Sequence, residues 1–394
     1  MAGKLIYLDH AATTPVDPRV VEAMKPYWSD KFGNPSSVYQ KGREASAALG
    51  RAREQVSGVF GCLPSEIIFE GSGTESDNQA IIGTALANQS RGRHIITSAI
   101  EHHAVLHACG FLESQGFEVT YLPVTKAGIV KLEELEKSIR QDTILVSIMY
   151  ANNEIGTIQP VKEIAGLVKK KNPKTFFHTD ACQAAGYCDL EVDSLGVDLM
   201  TINGSKIYGP KGVGVLYVKK GVIINSFVHG GGQENGRRAG TENVPGIIGL
   251  ATALELVQKE KEKESERLVK LRDRLIEGLL KIDKVFLNGD PVRRLPNNVN
   301  VTILDIEGES MLLHLDKEGI AASSGSACTS GSLDPSHVIL ALGQPYEVAH
   351  GSLRFTLGQA NTPEDIDCVL KVLPGIAREL RQMSPVRIDP AKLK

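Results

Sequence analysis

The chain has 394 residues, 42% hydrophobic and 23% charged, with a formal net charge of −3. This is ordinary for a globular protein with a large core, and at roughly 100–200 residues per domain it leaves room for two domains. The near-neutral balance excludes a global basic field aimed at nucleic acid or an anionic membrane. No apolar run approaches the roughly 20 residues that a membrane-spanning helix needs.

The N-terminus, MAGKLIYLDHAATTP, has neither the apolar core of a signal peptide nor an Arg-rich amphipathic pattern, so a cytoplasmic location is expected. Cysteines 62, 109, 182, 188, 328 and 368 form no C-x-x-C pair. In a chain of this length that is neither a disulfide framework nor a zinc site of the usual spacing.

Short β-branched runs alternate with helical periods. Ile67 to Phe69 reads as a strand, followed by EGSGTESDNQAI. There Gly71 and Gly73 let the backbone approach a ligand, and Ser72, Thr74 and Ser76 offer hydroxyls where a helix begins. Such a turn is an anion site, or simply a capped helix. It carries neither a P-loop nor a GxGxxG string, which favours a small phosphorylated cofactor over a nucleotide.

The next strand, His94 to Thr97, leads into SAIEHHAVLH. His102 stands at its end, where a flat imidazole can lie on a cofactor ring and move protons. His103 and His107 are four residues apart and could share a helix face as metal ligands do, but no third ligand is spaced to complete a site, so no metal is expected.

Glu118 to Leu122 and Ile144 to Met149 read as strands, with helical periods at Leu132, Leu135, Ile139 and at Val161, Ile164, Val168. Thr175 to His178 is a strand that Asp180 closes, in HTDACQ. Asp198 to Ile202 is another, ending in NGSKIYGPKG with Lys206 in a Gly/Ser turn. An acid and a lysine at two strand ends suit pyridoxal phosphate. The lysine bonds the cofactor aldehyde, and the carboxylate keeps the pyridine nitrogen protonated. Taken alone, the pair reads more readily as a strand-end acid and a solvated lysine.

After the strand Val213 to Val218 comes HGGGQENGRRAGTEN, a flexible loop or a segment lent to a neighbouring subunit. Leu254 to Leu280 reads as a long charged helix, an exposed connector. Beyond it, Val299 to Leu304 and Ser352 to Leu357 are strands mixed with helices. SSGSACTSGS places Cys328 in a mobile polar loop, where a thiol is either incidental or a nucleophile. Arg354, on the last strand, offers a guanidinium fork for a carboxylate.

Strand–helix alternation predicts an α/β fold, a mostly parallel sheet covered on both faces, with ligands beyond the carboxyl ends of the strands. The expected division is an N-terminal segment, 1–15, joining the small domain; a large cofactor-binding domain, 16–259; and a small α+β domain, 260–394, carrying the Cys328 loop.

YLDHAATTP, GNPSS, SGTESDN, EHHAV, NNEIG, the Asp-x-x-Gln of HTDACQ, KIYGPKG, RRAGT, SSGSACTS and RFTLG occur in the order found in the NifS/IscS-type cysteine desulfurases. The chain resembles that family over nearly its whole length. The resemblance implies a fold-type I architecture, that of aspartate aminotransferase, and a homodimer with active sites at the interface. It implies that Lys206 carries pyridoxal 5′-phosphate, Asp180 pairs with the pyridine nitrogen, Gln183 bonds the phenolic oxygen and His102 stacks on the ring. Thr74, with Gly73 beside it, binds phosphate, helped by Thr241 of the other subunit. Asn153 and Arg354 hold the carboxylate of L-cysteine. Cys328 takes the sulfur as a persulfide, releasing alanine, and passes it to an acceptor protein such as an iron–sulfur scaffold, or toward tRNA thiolation.

One departure stands out. Relatives commonly have Ser-x-His before the lysine, both contacting phosphate, where this chain has Asn203-Gly204-Ser205. Ser205 and Asn203 keep a hydroxyl and an amide but no imidazole, so weaker cofactor binding is expected unless they compensate. The C-terminus is also shorter than in many relatives, which bears on partner docking. The alternatives are a selenocysteine lyase, a small-amino-acid aminotransferase, which would need no thiol, and a non-catalytic scaffold.

Overall fold

After a two-residue strand β1 (Ile6–Tyr7), the β-branched runs build seven strands: β2 (Ile67–Glu70), β3 (His94–Ser98), β4 (Glu118–Leu122), β5 (Thr143–Ser147), β6 (Phe176–Asp180), β7 (Leu199–Asn203) and β8 (Gly214–Val218). They form one sheet in the order β2-β8-β7-β6-β5-β3-β4. Only β8 runs against its neighbours β2 and β7; the other pairings are parallel. The structure is a computed structural model that describes residues 5–324 and 334–389, so Cys328 lies outside the described residues.

Strands β2, β3, β5 and β8 are buried along their whole length. A sheet covered on both faces selects unbroken β-branched runs rather than alternation, which is why these strands were readable. One hydrophobic cluster on one side includes Phe60, Ile96, Phe177 and Tyr217. Another on the opposite side includes Ile68, Ile95, Leu145 and Leu216. Neighbouring strand residues such as Ile95 and Ile96 divide between the two, as the pleat requires.

Three later strands, β9 (Val285–Leu287), β10 (Asn298–Ile303) and β12 (Ser352–Thr356), form an antiparallel sheet with β10 in the middle, while β11 (Ile320–Ala321) pairs in parallel with β1. Ile6 and Leu8 join Leu268, Val301, Phe355 and Leu373 in a third cluster.

The long helix differs from the expected connector. It runs from Val244 to Leu279, 36 residues, beginning ten residues before the expected start. Asn243 caps it, accepting from the Gly246 N–H at 3.1 Å. Leu250 and Leu254 are buried in the first cluster, and Leu268, Leu271, Leu275 and Leu279 in the third. Only the Lys/Glu-rich middle fits an exposed segment; in the sequence that charged run masks an apolar stripe at helical spacing. Among the described residues no helix is long and apolar enough to cross a membrane.

Candidate active site

A cavity of about 320 Å³ opens where the parallel strands end. The ends of β6 and β7 bring Asp180, Gln183, Asn203 and Lys206 to it. The helix following β2 contributes Gly73 and Thr74, the turn after β3 contributes His102, and β12 contributes Arg354 beside Asn153. Nine of the sequence-picked residues therefore share one wall. Ser205, Thr241 and Cys328 are not part of it: Ser205 turns its hydroxyl onto Asn203 Oδ1 at 3.2 Å, Thr241 is exposed, and Cys328 is outside the described residues.

Each group is held. Asp180, 7% exposed, accepts from the Cys182 N–H at 2.9 Å. The Lys206 ammonium donates to the Ala12 carbonyl at 2.5 Å, and the Gln183 amide to the Ala11 carbonyl at 3.0 Å. Ala11 and Ala12 come from YLDHAATTP, far away in sequence, and were not foreseen as wall residues. His102 caps its helix, its Nδ1 accepting from the Ala104 N–H at 3.1 Å. Burial lowers its pKa, partly countered by Asp180 and reinforced by Lys206. A neutral ring that accepts at Nδ1 carries its proton on Nε2.

The glycine turn works differently from the expectation. Ser72 spends its hydroxyl on the Glu75 N–H, and Ser76 donates to the Ser72 carbonyl, so Thr74 alone of the three hydroxyls lines the cavity. Gly71 makes room for the Glu75 carboxylate, which a Cβ there would meet at 2.5 Å. A Cβ on Gly73 would sit 2.9 Å from Cys182 Sγ, so the cavity floor closes only with glycine at that place.

Arg354 is 3% exposed. Its Nη1 donates to the Asn153 carbonyl at 2.9 Å, its Nη2 to Asp9 at 2.7 Å, and its Nε has no partner. His103 stands between His107, 5.0 Å away by ring centroid, and His337 at 4.8 Å. The fold thus supplies the third histidine that spacing did not, yet among the described residues no group of three or more His, Cys, Asp or Glu is arranged to hold a metal ion. Burial and the neighbouring imidazoles push the His103 pKa down to about 4.

This wall fits a phosphorylated pyridine aldehyde. It offers an amine at Lys206, a buried carboxyl at Asp180, an imidazole at His102, and the N–H groups at the start of a helix. The unpartnered Arg354 Nε and an unpartnered Asp77 oxygen both belong to cavity-lining residues.

Residues 6–369 match the family model of the class-V aminotransferases. The chain belongs to the NifS/IscS-type cysteine desulfurases of this family. It is 58% identical to the cysteine desulfurase IscS of Methanosarcina thermophila, over 98% of this chain and 95% of that one. With the cysteine desulfurase IscS of Dictyoglomus turgidum the identity is 54%, over 97% of each. A solved NifS-like protein superimposes with a TM-score of 0.91 at 42% identity, over 96% of this chain and all of that one. Cysteine desulfurases of this family depend on pyridoxal 5′-phosphate, and the fold is the fold-type I architecture that the resemblance implied.

Proposed function

We propose that this enzyme takes sulfur from L-cysteine with the residues of this cavity and stores it as a persulfide on Cys328. The observation that carries the Cys328 assignment is how both feet of its segment are tied. Ser323 exchanges backbone hydrogen bonds with Arg354. On the far side, Ser336 donates to the Glu154 carboxyl and His337 Nε2 pairs with the Glu101 carbonyl at 2.9 Å. Glu154 and Glu101 adjoin Asn153 and His102. Cys328 is four residues beyond Ser324, a chain span of at most roughly 14 Å, and the segment leading to it starts beside Arg354 of the cavity wall.

Pyridoxal 5′-phosphate, when bound, supplies an electron-withdrawing ring that stabilises negative charge at the substrate α-carbon. Lys206 would hold its aldehyde, Asp180 would serve its pyridine nitrogen, and Gln183, with a second amide hydrogen beyond the one given to Ala11, would serve its phenolic oxygen. Thr74, the Gly73 N–H and the Asn203 amide would serve the phosphate; Ser205 would act on it through Asn203. Arg354 and Asn153 hold the substrate carboxylate. Lys206 would take the proton from the substrate α-carbon and return it to the product, with His102 moving protons through Nε2. The Cys328 thiolate attacks the substrate sulfur: an S–S bond forms, the Cβ–S bond breaks, and its electron pair passes to Cβ, which is protonated to give alanine.

The same reading makes the protein a homodimer in which Thr241 serves the partner's phosphate. Supporting it, Arg238 pairs with Glu75 at 2.8 Å and Arg53 with Glu234 at 2.6 Å, fixing a loop that leaves Thr241 outward. Trp28, Phe32, Val38 and Tyr39 leave apolar surface uncovered in one protomer. The reading also takes 16–259 as the cofactor domain and 260–394 as the small domain. Its sulfur acceptor is a protein such as an iron–sulfur scaffold, or a tRNA-thiolation carrier. Five unpaired cysteines among the described residues suit a reducing cytoplasm.

Cys328→Ser tests the assignment. The variant should keep its cofactor colour and release little alanine from L-cysteine, while the wild type carries a reductant-labile gain of about 32 Da on the Cys328 peptide. Full activity of the variant, with the persulfide on another cysteine, would refute it.

A further inference from the structure

A carboxyl that this scheme does not use lies in the cavity wall. Asp77, on the helix Gly73–Asn78, is 2% exposed and lines the cavity. Its Oδ1 has no hydrogen-bond partner. The Thr201 hydroxyl, on β7, favours the ionised form of this carboxyl. His178 Nε2, on β6, stands 3.7 Å from Oδ1.

His178 cannot serve as a counter-cation. Its Nδ1 pairs with Ser147 Oγ at 2.9 Å and its Nε2 with Thr201 Oγ1 at 3.1 Å, and burial pushes its pKa down to about 3. Ser147 and Thr201 thus take up both ring nitrogens, and neither is left to pair with Asp77.

The other titratable groups facing Asp77 are Asp180 at the end of β6, Glu101 before His102, and the buried Cys182 thiol. None is a cation. Desolvation, then the Asp180 charge, push the Asp77 pKa well above the usual carboxylate range. A buried carboxylate with an unpartnered oxygen is costly, and an acidic neighbour such as Asp180 raises that cost further.

We propose that Asp77 is a positioning residue of this site: a carboxyl that stays protonated in the fold, leaves Asp180 as the anion of the cavity floor, and gives that floor a hydrogen-bond donor. The role of Asp180 comes from the proposed function; the protonation of Asp77 is read without it.

The first test is thermal melting of the full chain freed of cofactor, wild type against Asp77→Asn, from pH 4 to 8. In the unfolded chain the carboxyl ionises with a pKa of about 3.9, whereas the fold resists ionisation. Asp77 therefore weighs against the fold above about pH 4 and not below it. The isosteric, neutral Asn variant should melt higher than wild type at pH 7, with the gap closing toward pH 4. A lower melting temperature for Asp77→Asn at pH 7 would overturn the proposal. The second test uses the holoenzyme. Asp77→Asn should keep the cofactor absorbance band and kcat within about twofold. Asp77→Val, which lacks a donor, should keep the band but lose about tenfold in kcat with KM little changed. If Asp77→Val does not fold, the Asn comparison decides. Loss of the band in Asp77→Asn would mean that an anion is needed at Asp77 and would also sink the idea. Either failure leaves Lys206 and Asp180, which the wild-type band reports, untouched.

Discussion

Arg354→Lys separates substrate binding from cofactor binding. The guanidinium is nearly sealed from solvent and already holds the Asn153 carbonyl at 2.9 Å and Asp9 at 2.7 Å. Of its five N–H donors, Nε has no partner, and it belongs to the set that a substrate carboxylate would meet. Lysine keeps the charge and can still answer Asp9, so the buried ion pair is not orphaned. It loses the planar fork. One hydrogen bond to a charged group is worth about 1.5–3 kcal/mol, so KM for L-cysteine should rise about 10- to 150-fold. Cofactor retention should not change, because the Lys206, Asp180 and Gln183 contacts do not involve Arg354. The assay is alanine release against L-cysteine concentration with a thiol reductant present, alongside the cofactor band. An unchanged KM, or a lost band with normal KM, would show that the guanidinium does not read the substrate carboxylate.

Three further outcomes are expected. Lys206→Ala should lose the cofactor band and turnover together, since its amine faces the cavity while Lys211 contacts only the Thr14 carbonyl, at 3.5 Å; normal turnover with a borohydride-reducible adduct would move the site elsewhere. Ser205→His should slow cofactor loss on dialysis by about tenfold if phosphate lacks a donor, and unchanged retention would mean Thr74, the helix start and Asn203 already satisfy it. His178 stays neutral in the fold down to about pH 3, while the unfolded chain takes up a proton near pH 6.5. Stability should therefore fall as pH drops below about 6.5, by up to about 1.4 kcal/mol per pH unit from this residue; equal melting slopes in His178→Asn and wild type would contradict that.

The central strands were legible because burial on both faces leaves uninterrupted β-branched runs, and Asp180 and Lys206 were legible because each follows such a run directly. The start of the long helix was not. Val244 to Val257 is apolar enough to pack against the first cluster, but the Lys/Glu run from Lys259 dominates any local reading. Of the two readings open for the glycine turn, Ser72 and Ser76 follow the capping one, because a helix start spends hydroxyls on its own backbone before offering them to a ligand.

By itself, the sequence determined the alternation of strands and helices, the glycine turn, and the order of motifs that mark the family. These are local properties, set by periodicity and by residue chemistry within a few positions. Which groups meet was decided only by the tertiary structure. Asp77 reads as an ordinary helical residue until β6 and β7 lie side by side and place His178 and Thr201 next to it. Ala11 and Ala12 become partners of Gln183 and Lys206 only because the N-terminal segment folds back over the strand ends. His337 reaches His103 in the same way, across more than two hundred residues. Strand order, crossover connections and the antiparallel insertion of β8 between β2 and β7 bring together residues distant in the chain, and no local pattern of hydrophobicity encodes that order.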